Sequence, residues 1–118
     1  MKKGPKSLSL PGSLVAIDKA AFKFSRMIQD DSYMDTGHDD VLRDFISDMK
    51  GLRSKLDQRT KQYADSYEEL ATYLRMIRGR KTFNAQIERE FRGKLRQVGA
   101  ERRKLIENRE IREELMLE

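Results

Sequence analysis

Apolar residues recur in alternating steps of three and four from Leu42 to Ile77: Leu42, Phe45, Met49, Leu52 and Leu56, then Tyr63, Leu70, Tyr73 and Ile77. Arg59 and Ser66 are the two positions off type. A mean spacing of about 3.5 residues keeps one stripe of a helix turned toward a partner helix, and such a stripe is not stable in water by itself. The pattern predicts a helix over 39–78 whose seam is covered by other helices, from the same chain or from neighbours.

Local signals at both ends agree with that span. Thr36 and Asp39 fit a capping pattern, and Asp39, Asp40 and Asp44 sit where the positive end of the helix dipole favours carboxylates. Arg75, Arg78, Arg80 and Lys81 crowd the far end, and Gly79 can supply the left-handed residue that closes a helix. At about 1.5 Å per residue the element is roughly 60 Å long. Gly51 is its one intrinsic weak point.

Two further helices are predicted. Ser13 is a plausible N-cap for the first, over 13–33, with Leu14, Ile17, Ala21, Phe24 and Ile28 in heptad fashion. Thr82 can cap the second, over 83–116. Its residues Phe83, Ile87, Phe91 and Leu95 step by four, so its stripe drifts around the helix more than the first ladder does. Val98, Leu105, Ile106 and Met116 continue it, and Gly93 and Gly99 offer places for a neighbour to approach closely. Residues 1–12, with Lys2, Lys3 and Lys6, read as an irregular basic tail. A single helix from Asp39 to the C-terminus is the competing arrangement, since Gly79 alone interrupts it. The expected fold is therefore all-α, with one domain over 13–118. Its form is an elongated coiled-coil helical hairpin or three-helix bundle with a short N-terminal amphipathic helix.

Composition narrows the chemistry. Charged residues make up 38% of the 118 residues and apolar ones 37%, the balance of long amphipathic helices rather than of a disordered chain. The absence of cysteine removes disulfides, thiolate zinc sites and cysteine nucleophiles. His38 is the single histidine, and the aspartates around it (Asp30, Asp31, Asp35, Asp39, Asp40) lack the alternating ligand spacing of an EF-hand. No glycine-rich phosphate loop, nucleophile elbow or paired-carboxylate cleft can be placed. Neither a catalytic role nor a cofactor or metal is expected. No apolar run approaches the roughly 20 residues of a membrane span. The N-terminus lacks the apolar core of a secretion signal, so an intracellular, cytoplasmic protein is expected. The basic, serine-containing start shares features with an organelle presequence, but no arginine precedes Arg26.

Charge changes the picture most. Residues 75–104 hold eleven Lys/Arg against three Glu, while 105–118 hold two Arg against five Glu. The net charge of +5 is thus a basic centre beside acidic lengths. Placed at about 100° per residue, Arg89, Arg92, Arg96 and Arg103 share about one sixth of the third helix's circumference, opposite Phe83, Ile87, Phe91 and Val98. Together with Arg78, Arg80 and Lys81 they are the candidate anion- or nucleic-acid-binding residues. No aromatic or amide is interleaved for base contact, so such binding is expected to be indifferent to sequence. The alternative is a solvated face, or a charge register that pairs with a neighbouring helix. An anionic membrane surface fits less well, since the apolar faces read as core and carry no Trp.

The remaining positions have bland readings beside sharper ones. Arg59 packs its stem on the seam with its head in water, or pairs with Asp65 or Glu69 of a neighbour to set register. Tyr63, Tyr67 and Tyr73 read as seam and edge residues, and the methionines as adaptable filler. The function expected from this pattern is structural: a small subunit or adaptor that joins protein partners, as a homo-oligomer or within a larger assembly. Phe45, Leu52, Leu56, Leu70, Phe91 and Leu95 are the residues expected to carry association. Non-specific nucleic-acid binding by the basic segment 75–104 is the alternative.

Overall fold

The structure is a computed structural model that describes residues 7–30, 36–78 and 84–115. It is all-helical, with six α-helices among the described residues: α1 (Leu10–Ala20), α2 (Phe22–Gln29), α3 (Asp39–Leu52), α4 (Lys61–Arg78), α5 (Ala85–Ile106) and α6 (Arg109–Leu115). The molecule measures 52 × 35 × 19 Å.

The helix expected over 39–78 is two helices. After Leu52 a 3-10 turn at Arg53–Lys55 leads into extended backbone at Leu56 and Asp57, and a second 3-10 turn, Gln58–Thr60, opens α4. Asp57 makes the break locally stable. Its carboxylate accepts the Arg59 amide at 2.8 Å, and its carbonyl accepts both the amide and the hydroxyl of Thr60, at 2.9 and 2.7 Å. The heptad count runs through this turn without a gap. Leu56 is buried on one side of it and Tyr63 on the other, so the ladder persists while the helix does not.

The N-terminus explains what holds the turn in place. Helix α1 starts at Leu10, three residues before the expected N-cap, because the Ser9 hydroxyl accepts the Gly12 amide at 3.0 Å and Pro11 fits the first turn. Ser13 is instead buried inside α1, and its hydroxyl accepts the Asp57 amide at 2.8 Å. One step earlier, the Leu8 amide donates to the Lys55 carbonyl at 2.8 Å. The end of the expected tail thus docks on the α3–α4 turn. Lys2, Lys3 and Lys6 lie outside the described residues, as do Asp31, Asp35 and the expected end of the first helix.

Helix α3 begins behind a 3-10 turn, with His38 at the N-cap and no side-chain capping bond there. Helix α5 is capped by Asn84, whose side chain accepts the Ile87 amide at 2.9 Å. Thr82, the expected cap, lies outside the described residues with Gly79, Arg80, Lys81 and Phe83. Lys94 meets Glu69 at 3.1 Å and the Tyr73 hydroxyl donates to Glu90 at 2.5 Å, so α5 runs antiparallel along α4. A second break follows α5. The Asn108 side chain accepts the Glu110 amide at 2.8 Å and starts α6, whose Ile111 is fully buried against the rest of the chain. Met116 lies outside the described residues.

One core joins all six helices. Leu10, Leu14 and Ile17 of α1, Phe24 and Met27 of α2, Leu42, Phe45 and Met49 of α3, and Leu70, Leu74 and Ile77 of α4 are buried in it. So are Ile87, Phe91, Val98 and Leu105 of α5. At its centre Phe24 stacks on Phe45 with ring centroids 4.9 Å apart, and Tyr67 meets Phe45 edge-on at 5.4 Å. Such aromatic pairs add roughly 0.5–1.5 kcal/mol beyond burial.

Candidate functional site

Most of the apolar ladder lies inside the chain's own core. Phe45, Leu56, Leu70 and Phe91 are buried inside the single chain, and Leu52 and Leu95 pack against the same core half-buried. Four of these six residues are therefore withdrawn into the chain's own core, while Leu52 and Leu95 keep part of their surface. The physical reason is the break at Leu56 and Asp57. It folds the ladder back on itself, and α1 and α5 supply the neighbour that a straight helix would need from another chain.

Arg59, off type in the ladder, sits in the turn and is exposed. It binds the Asp57 carboxylate at 3.0 Å through both Nε and Nη2, and reaches Glu110 of α6 at 3.5 Å. That forked contact holds the Asp57 carboxyl below the usual carboxylate range and raises the Arg59 guanidinium. The expected partners are used elsewhere. Asp65 pairs with Arg53 at 2.7 Å, beside Glu68 on the same guanidinium, and Glu69 pairs with Lys94.

A polar cluster that the ladder gave no sign of links three helices. Asp18 of α1 accepts the Tyr63 hydroxyl of α4 at 2.5 Å and receives Arg102 of α5 through Nη2 at 2.8 Å and Nε at 3.2 Å. Burial, then the hydrogen bond to Asp18, pushes the Tyr63 phenol well above its ordinary value. Burial, then the Asp18 charge, raises Tyr67 as well. The hydrogen bonds to Asp18 raise Arg102. With the Asp18 carboxylate matched by Arg102 and accepting the Tyr63 hydroxyl, this cluster reads as a clasp. Only the alternation of Asp18 with apolar residues on α1 could have hinted at it.

An open groove of about 490 Å³ runs along α4 and α5, lined by Arg53, Asp65, Glu69, Tyr73, Met76 and Lys94 among others. Its charged groups are spent on one another, and Lys94 also lies over the Tyr73 ring, 5.3 Å from the centroid. Among the described residues no group of three His, Asp or Glu side chains is placed to hold a metal ion, and no helix is long and apolar enough to cross a membrane.

The basic candidates separate sharply. The Arg78 side chain is 4% exposed and pairs with Asp39 at 2.9 Å, so it closes the α3–α4 contact rather than facing outward. Arg92 pairs with Glu88 at 3.0 Å, one turn away. Arg80 and Lys81 lie outside the described residues. Arg89, Arg96 and Arg103 are exposed, share one face of α5, and form no ion pair among the described residues. No protein family, curated protein or solved structure matches this chain.

Proposed function

We propose that this chain is a non-catalytic interaction subunit that joins a larger assembly through the outward face of α5, while its apolar ladder holds its own fold together. In this reading α4 and α5 act as a helical hairpin that presents the face, and α1 to α3 close over its other side. The observation that carries it is the row Arg89, Arg96 and Arg103. Other exposed cations without an ion pair among the described residues, such as Arg26, Arg43 and Arg75, stand singly on α2, α3 and α4, whereas Arg53, Arg59, Lys94, Arg102 and Arg109 each have a carboxylate within reach. A row left without one keeps its hydrogen-bonding capacity for a partner. Self-association through the ladder is the lesser reading, because most of that surface lies within the chain.

Cation-exchange chromatography tests the availability of the face. A triple variant (Arg89→Gln, Arg96→Gln, Arg103→Gln) is compared with a charge-matched control at exposed lysines (Lys19→Gln, Lys50→Gln, Lys61→Gln). The row variant is expected to elute at clearly lower salt than the control. Coincident elution would show that only net charge is felt, and would remove the face from the account.

A further inference from the structure

We infer that the partner of the α5 arginine face is the phosphate backbone of a nucleic acid; this deepens the interaction reading above and rests on it. Arg89, Arg96 and Arg103 stand one heptad apart, so their backbone positions are about 10.5 Å apart along the axis and the row turns by only about 20° per step. The sequence around them keeps them available. The positions three and four residues away, where intrahelical ion pairs form, hold Ala85, Gln86, Arg92, Gly93, Gly99, Ala100 and Ile106, with Glu107 beside Arg103 the one acid. This contrasts with Arg92 and Arg109, which have Glu88 and Glu113 at that distance.

The small residues also shape the surface. Nothing lies within 4 Å of where a side chain would begin at Gly93, and at Gly99 the nearest group is the Arg103 guanidinium itself, 3.7 Å away. A phosphate backbone can therefore lie close to the helix at Gly93, between Arg89 and Arg96, while Gly99 gives the Arg103 guanidinium room to lie against the helix. The same smallness argues against a protein helix as partner. Protein interfaces gain affinity from buried apolar anchors, and the large exposed apolar residues among those described are Val15, Phe22 and Met76, none of them on α5. A polyphosphate needs no such anchor, because release of its condensed counterions drives binding. With no exposed aromatic on α5 to stack a base, contact stays on the backbone and ignores sequence.

Fluorescence anisotropy of labelled 20-mer oligonucleotides with the full chain tests this. Two unrelated duplex sequences are expected to bind alike. Three phosphate contacts predict a slope of log affinity against log salt near −2.7, or about 40-fold weaker binding between 50 and 200 mM salt. The row variant should bind at least about tenfold more weakly at low salt with a nearly flat slope, and the lysine control should change by less than about threefold. Replacing the three arginines by lysine, with helicity checked by circular dichroism, should keep the slope and guards against a folding artefact. No binding at low salt, or equal losses in row variant and control, overturns the inference. Poly-glutamate of the same length separates it from the reading beneath it. Binding of poly-glutamate as tight as that of the oligonucleotide would assign the face to acidic protein and leave the interaction reading standing. Failure of both probes, with coincident elution on the cation exchanger, would end both.

Discussion

The Ser13 hydroxyl accepts the backbone amide of Asp57 at 2.8 Å, from 44 residues away in the chain. That bond accounts for an amide that the interruption of the ladder would otherwise leave without a partner in a half-buried turn. It also fixes α1 against the junction of α3 and α4, so the fold of the seam depends on a residue of the first helix.

Removing the hydroxyl with Ser13→Ala is expected to cost about 1–3 kcal/mol, the penalty for stranding a buried donor. Urea denaturation followed by circular dichroism reads it as a lower midpoint at unchanged slope. A variant as stable as the parent would mean that the turn holds itself.

Leu70 is fully buried. Leu70→Ala should destabilise the chain by roughly 2–5 kcal/mol. The melting temperature of the parent and of the variant should be independent of protein concentration, since a core within one chain gives no mass-action term. A melting temperature that rises with concentration would return the ladder to an intermolecular role.

Alkali should act through Tyr63 and Tyr67. Their phenols are raised in the folded chain, so the folded state keeps its protons longer than the unfolded one. The associated stability is complete below the ordinary tyrosine value of about 10 and falls as pH rises beyond it. Tyr63→Phe should lose about 1–2 kcal/mol at neutral pH and show a shallower alkaline decline. Tyrosinate absorbance combined with urea melts from pH 8 to about 11.5 distinguishes the two proteins.

Acid should act on the turn in the opposite sense. Asp57 is lowered by its hydrogen bonds to Arg59, so the unfolded chain takes up this proton first as pH falls. The contribution is complete above the ordinary aspartate value of about 3.9 and is lost as pH drops through the folded one. Asp57→Asn keeps the cap but not the charge. Its stability should lie below that of the parent at pH 7 and converge on it as pH falls below the ordinary aspartate value, as measured by urea midpoints.

Gly51 lies in α3 with nothing within 4 Å of a would-be side chain. Gly51→Ala is expected to stabilise the protein by about 0.5–1 kcal/mol, visible as a higher melting temperature.

Several features of the fold were legible in the chain because they depend on local periodicity. The ladder residues are buried or half-buried as a set, apart from Arg59, because a stripe of that width has to leave water. The α5 stripe lies inward and the arginine row outward for the same reason. The turn at 53–60 was not legible from the heptad count, since the stripe continues in register across it. The signals that were present, Ser54, Asp57 as a cap and arginine in place of an apolar residue at 59, are individually weak. The helix starts at Leu10 and Ala85 are hidden for a similar reason: Ser9 and Asn84 compete with Ser13 and Thr82 as caps, and the choice depends on which backbone amides point at them.

By itself the sequence determined that the chain is helical, which positions avoid water and where positive charge collects, because each follows from residue type and a period of about 3.6. The tertiary structure alone decided what covers the seam, since burial against α1 and α5 and burial against a second molecule satisfy the same pattern. It also decided which cations are consumed by acids on other helices. Whether Arg78 or Arg102 finds a carboxylate depends on where Asp39 and Asp18 come to rest on other helices, whereas Glu88 stands one turn from Arg92 on the same helix.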